Sequence, residues 1–368
     1  GDWGVWLYRA CSFLVVSCPC ALVISVPLSF FGGLGAASRQ GVLLKGSNYL
    51  EAVAGMGTVV FDKTGTLTTG KFQVTQVLPA GSAAEEELLE AAALGESHSN
   101  HPIAVSVREA FGRPVDGSRV DEARELAGKG VLVYAGQGED WNQICVGNRR
   151  LMEEQGIPDP GETAKVGTTL YVARDGRYLG CLVISDTIRQ DTREAVAQLR
   201  TMGVKRMVMP TGDREETGKA VAEEIGLDEV YGGLLPADKV TRVEKLLEEK
   251  PEGTTLGFVG DGINDAPVLS RADVGIAMGG IGSDAAVEAA DMVIMTDEPS
   301  KICDAIAIAR KTVGIVKQNI VFAIGVKVLV LILTALGYAS MWAAVFGDVG
   351  VSVLAILNAM RALNYKRR

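Results

Sequence analysis

From Ala10 to Ser38 the chain carries no charged side chain, and Arg9 and Arg39 flank the run. A helix crosses the hydrocarbon core of a bilayer with roughly 20 apolar residues, so this run is expected to be a membrane span. Pro19 and Pro27 lie inside it and lack a backbone N–H, so the helix is expected to be broken. A broken helix in a membrane is tolerated where it faces protein or a cavity. Cys18 and Cys20 flank Pro19 in the run SCPC, and paired thiolates select soft metals.

Two further spans are expected near the other end. Ile320 to Tyr338 carries one charge, Lys327, and Met341 to Met360 carries one, Asp348. A charge within a span costs several kcal/mol, roughly, and marks function by default. Arg310, Lys311 and Lys317 precede the pair, and Arg361, Lys366, Arg367 and Arg368 follow it. The positive-inside tendency makes this a hairpin with both ends in the cytoplasm. The first span then runs inward. The chain starts at Gly1 without a Met or a basic signal-like region, and is expected to be a fragment of something longer.

The formal net charge of -9 points to no nucleic-acid partner. The six cysteines, at 11, 18, 20, 145, 181 and 303, form no disulfide framework, and the two histidines, His98 and His101, build no His-rich site.

The middle alternates short apolar runs with helical patterns. TVVF (58–61), CLVIS (181–185), RMVM (206–209), TLGFV (255–259), VGIAM (274–278) and MVIM (292–295) read as strands, with helices near 189–202 and 215–225. Such alternation implies a parallel α/β sheet covered on both faces. Between about 76 and 180 the pattern becomes one helix followed by Gly-rich weak strands, as in an inserted α+β domain. The expected organisation is a metal-binding span (1–40), a first catalytic part (41–75), an insert (76–182), a second catalytic part (183–310), and two spans with a basic tail (311–368).

DKTGTLT occupies 62–68, directly after a strand. Asp62 there can attack a phosphoryl group, with Lys63 beside it and the Thr64–Gly65 turn aiming N–H groups at phosphate. GDGINDAP (260–267) follows another strand; Asp261 and Asp265 suit Mg(II), and Asn264 suits hydrogen bonding to phosphate. Thr211-Gly212-Asp213 follows a third strand, and Lys239 offers a cation. Nucleophile, metal, cation and fixed donors are what phosphoryl transfer requires.

DKTGTLT, TGD and GDGINDAP together resemble the signature motifs of P-type ATPases, within the haloacid-dehalogenase superfamily. The resemblance covers the whole chain. It implies phosphorylation of Asp62 by ATP, with Mg(II) held by Asp62, Thr64, Asp261 and Asp265. Related soluble phosphatases carry an acid/base Asp where Thr64 stands. The TGE motif of the family's actuator domain is not in this sequence, in line with upstream spans and actuator lying elsewhere. Pro210 and Arg214 depart from the residues usual around TGD. Asp186 and Arg189, in SDTIRQD, resemble a motif bordering the hinge between catalytic domains.

The insert resembles the nucleotide-binding domain of the heavy-metal branch. That implies ATP contacts from Glu96, His101, Pro102, Gly128 and Gly130, and from Gly147 and Asn148. CPC in the first span, Lys327 in the next and Asp348-Val349-Gly350 in the last resemble the zinc, cadmium and lead exporters. Two thiolates, one carboxylate, Lys327 and a divalent ion sum to zero charge. The alternatives are a Cu(I) exporter, a membrane-anchored phosphatase, or a non-catalytic fragment. The implied location is a cell membrane, multi-pass, with catalytic domains in the cytoplasm.

Overall fold

The computed structural model describes residues 3–17, 19–126, 128–137, 140–158, 167–261, 265–279, 284–296, 298–336, 338 and 341–365. The chain forms two compact units. The first comprises Gly1–Thr66, Gln190–Gly212 and Ile225–Arg368; the second comprises Leu67–Arg189 and Asp213–Glu224.

A seven-stranded sheet organises the first unit, in the order Val42–Leu44, Met292–Ile294, Val274–Met278, Thr255–Gly260, Met56–Phe61, Arg206–Pro210, Glu229–Tyr231. All neighbours pair in parallel except the first two. Met56–Phe61 and Val274–Met278 are buried at every position, as expected of strands covered on both faces. Helices such as Thr192–Thr201 and Pro236–Glu249 cover it, and Val60, Val208, Val243, Leu246 and Phe258 form one core cluster.

The first apolar run is two helices, Trp3–Ser17 and Cys20–Arg39. Pro19 stands at the break, but the second helix runs through Pro27 without ending. Only the first of the two prolines therefore interrupts it. The second expected span is the apolar half of one 35-residue helix, Lys301–Ala335, roughly 50 Å long. The last is Met341–Met360. Cys20–Arg39 and Lys301–Ala335 are long and apolar enough to cross a membrane. Small residues allow close approach: a Cβ on Gly33 would lie 2.4 Å from Thr312 Oγ1 of the long helix, and one on Gly32 would lie 3.1 Å from Ala362 in the turn Arg361–Leu363.

The second unit is built on a six-stranded antiparallel sheet, in the order Thr68–Pro79, Arg177–Ile188, Thr168–Arg174, Asp140–Gly147, Gly130–Gln137, Val120–Leu126. Helices Glu85–Gly95 and Pro102–Phe111 bury Leu88, Ala92, Leu94 and Val107 with Val133, Ile144, Val146 and Val172. On another core cluster Leu151 and Met152 pack with Cys145, Tyr171 and Cys181. CLVIS thus belongs to this antiparallel sheet and not, as its apolar run implied, to the parallel one: its partners are Thr68–Pro79 and Thr168–Arg174.

Candidate active site

Asp62 follows the C-terminal end of Met56–Phe61, and its N–H donates to the Val259 carbonyl at 2.8 Å. Asp261 follows Thr255–Gly260, the neighbouring parallel strand. Parallel neighbours end on the same edge, so the two loops meet, as at the ligand-binding edge of open α/β sheets. Asp62, Asp261 and Asp265 offer carboxylate oxygens within 4.8 Å of one another. Lys239 Nζ, from the helix Pro236–Glu249, donates to Asp62 Oδ1 at 2.5 Å and to Asp265 Oδ1 at 3.3 Å.

Burial, and then the charge of Asp62, push Asp265 up to about 6. Burial alone would lower the pKa of Lys239; Asp62 and Asp265 outweigh it and hold the ammonium above its ordinary value. Like charges crowded in a half-dry site disfavour ionisation unless a cation joins them. Backbone makes room for the cluster. Gly65 has φ +74°, and a Cβ there would lie 1.5 Å from Asp261 Oδ2. Three hard oxygen donors in this cradle fit Mg(II). Asp62 and Lys63 are buried, Thr64 is exposed, and Thr66 is fully buried. Thr211 is buried and receives a place beside the sheet through its N–H to Tyr231 O at 2.8 Å; Gly212 is exposed. Asp213 groups with the second unit. Asn264 lies outside the described residues.

In the second unit Gly130 has φ +143°, and a Cβ on it would strike Val146 O at 2.2 Å. A Cβ on Gly147 would lie 2.3 Å from Lys129 O. Only glycines permit this approach of two strands. Asn148 Nδ2 donates to Gly128 O at 2.8 Å, and its Oδ1 caps Arg149–Glu154 by accepting from Leu151 N–H at 3.2 Å. Gly128, Gly130, Gly147 and Asn148 are thereby one cluster. Glu96 is buried at the end of Glu85–Gly95; burial raises its pKa, Arg108 opposes that, and Glu125 adds to it. His101 and Pro102 are exposed, and His101 Nδ1 caps the helix Pro102–Phe111 through Ile103 N–H at 3.3 Å. Within this unit Thr68 Oγ1 donates to Asp186 Oδ2, and Arg189 N–H donates to Leu67 O at 3.0 Å.

Between the apolar helices lies a narrow cleft. Pro19, Ala21 and Leu22 line it, with Lys327 and Asp348 opposite. Lys327 Nζ is 3.9 Å from Asp348 Oδ1. Cys20 stands between Pro19 and Ala21 and is half-buried; Cys18 lies outside the described residues. Ala323, Val326, Val330, Gly347 and Val351 complete the lining. No motif marks them, but 323, 326, 327 and 330 fall at helical spacing around Lys327 and share its face.

Residues 56–273 match the family described as haloacid dehalogenase-like hydrolase, and the chain belongs to that family. Along nearly its whole length the chain is similar to heavy-metal-transporting ATPases. It is 54% identical over 99% of its residues to a cadmium, zinc and cobalt-transporting ATPase of Bacillus subtilis, covering 51% of that protein. It is 52% identical over 97% of its residues to a zinc-transporting ATPase of Synechocystis, covering 48% of it. The fold resembles the crystal structure of a zinc-transporting PIB-type ATPase in the E2.Pi state, with TM-score 0.87 and 36% identity, over 99% of this chain and 59% of that one. The chain spans about half the length of the curated relatives it matches.

Proposed function

We propose that this chain is the catalytic and ion-binding part of an ATP-driven exporter of zinc, cadmium or lead, phosphorylated on Asp62. One observation carries the reading: a nucleophile-bearing carboxylate cluster bridged by Lys239 occurs in the same chain as a broken apolar helix facing a Lys327–Asp348 pair. A phosphatase needs the first and has no use for the second. Zinc leads the candidates, since both relatives described above are named for it.

In this reading an Asp62 oxygen attacks the γ-phosphorus of ATP, forming an aspartyl phosphate as the bond to ADP breaks. Lys239 neutralises charge beside the nucleophile, and backbone N–H groups of the Thr64–Gly65 turn orient the phosphoryl oxygens. Mg(II), held by Asp62, Asp261, Asp265 and the Thr64 backbone, supplies further charge neutralisation when bound. Glu96, His101 and the glycine cluster hold the nucleotide. Cys18, Cys20 and Asp348 hold the exported ion, and Lys327 balances Asp348 once the ion has left. The apolar helices of the first unit sit in a cell membrane, with the seven-stranded sheet and the second unit in the cytoplasm. The spans and actuator domain expected upstream complete the pump.

The test is labelling by radioactive ATP of the protein that carries this chain, in detergent. Acid-stable, hydroxylamine-labile label is expected with zinc, cadmium or lead, and is expected to vanish in Asp62→Asn and in Cys18→Ala/Cys20→Ala. Label with Cu(I) alone would overturn the substrate. Mg-dependent phosphatase activity without label would overturn the pump.

A further inference from the structure

Arg108 lies two turns beyond His101 on the helix Pro102–Phe111. Its half-buried guanidinium donates from one nitrogen to the carbonyls of Glu96 and Ser99, the latter at 2.7 Å. Neither carbonyl belongs to its own helix. Glu96 closes the preceding helix, where carbonyls lack helical partners; Ser99 lies in the connecting loop. One side chain therefore ties a helix end, a loop and the next helix together.

The loop passes this order on to His101. Ser99 Oγ accepts from His101 N–H at 3.2 Å, and His101 Nδ1 accepts from Ile103 N–H at 3.3 Å. An accepting Nδ1 carries no proton, so the neutral ring holds its proton on Nε2. His101 is exposed, and the Nε2–H is a donor for a ligand.

We propose that Arg108 is a positioning residue for nucleotide binding: by gripping the Glu96 and Ser99 carbonyls it fixes the His101 ring as an Nε2–H donor, suited to the acceptor nitrogens of a purine. The inference rests on the nucleotide-pocket reading above. Arg suits the task because two N–H bonds of one planar group diverge toward two carbonyls. A lysine ammonium reproduces the charge and part of the geometry.

ATP binding to the full chain in detergent tests this, with His-labelled nitrogen NMR on the same samples. Arg108→Ala is expected to weaken ATP binding about tenfold, or about 1.4 kcal/mol, without changing the number of sites. Arg108→Lys is expected to weaken it about threefold on the same scale. Arg113→Ala, which removes only an exposed pair with Glu86, is expected to bind as wild type. The chain has two histidines, so His98→Gln assigns His101. Wild type is expected to show a bare Nδ1 and a protonated Nε2, and Arg108→Ala to lose that bias. A merely structural arginine would leave the tautomer untouched. Wild-type affinity or an unchanged tautomer in Arg108→Ala overturns the proposal. Should that variant not fold, Arg108→Lys decides, and no shift in either readout overturns it. Wild type failing to bind ATP would instead bring down the nucleotide pocket itself, and the inference with it.

Discussion

Glu96 shows how one side chain couples burial, charge and pH. Burial raises its carboxyl above the ordinary value, and Arg108 offsets only part of the effect. The folded state therefore binds the proton more tightly than the unfolded chain. Stability contributed by Glu96 falls as pH rises from the ordinary carboxyl range through the raised folded value. At neutral pH the full cost of the buried charge is present; in acid it is absent. Glu96→Gln keeps the shape and the carbonyl that Arg108 holds, and removes the charge. It is expected to make the second unit more resistant to urea at pH 7, and to show no such gain below the ordinary carboxyl pKa near 4.5. Trp141, the one tryptophan of that unit, reports its unfolding by fluorescence. An equal gain at both pH values would show that packing, not charge, is responsible.

Among the helices, the long Lys301–Ala335 and the last, Met341–Met360, are fastened by amides. Asn319 is 1% exposed; its Nδ2 donates to Ala355 O at 3.0 Å and its Oδ1 accepts from Asn358 Nδ2 at 2.9 Å. Arg361 donates to Asn358 Oδ1 at 2.7 Å, and Tyr365 OH donates to Asp304 Oδ1 at 3.0 Å. The two Asn319 bonds join the helices, and between membrane helices such bonds are worth roughly 1 kcal/mol each. Asn319→Leu leaves partners on the last helix unmet, at a cost of about 1–3 kcal/mol. Its thermal midpoint in detergent is expected to fall by roughly 2–4 °C or more on that scale. Gln318 is exposed and meets Asn358 at 3.3 Å, so Gln318→Leu is expected to change little. Equal effects of the two substitutions would refute the assignment of the fastening to the buried amide.

Across the first unit, one polypeptide joins a carboxylate cluster on a parallel sheet to a charged cleft between apolar helices. Lys301–Ala335 is the physical link: Cys303 Sγ donates to Ala195 O at its root, and Lys327 lines the cleft farther along. A charge left alone in such a place costs far more than an ion pair gains. In the proposed pump, Lys327→Ala strands Asp348 after the ion departs. Metal-stimulated ATP turnover is then expected to drop at least about tenfold, equivalent to about 1.4 kcal/mol, while label on Asp62 persists. Unchanged turnover would remove Lys327 from the cycle.

Much of this was legible in the linear sequence. Asp62 and Asp261 sit in local motifs after strand ends, and a strand end with its turn is a short-range event; Lys239 stands in the first turn of the helix Pro236–Glu249, within the run LLPADKV. The apolar runs, the break at Pro19 and the Lys327–Asp348 clue likewise follow from local composition and missing donors. What folding alone decided is long-range. CLVIS has the apolar character of a buried parallel strand, yet its sheet was settled by pairing with Thr68–Pro79, more than a hundred residues earlier. The long helix crosses the expected end of a span because polarity changes there while backbone propensity does not. Arg108 has no motif, since its role depends on two carbonyls that sequence does not place beside it. Residue type determines which chemistry is possible; only the packing of distant segments determines which groups meet to perform it.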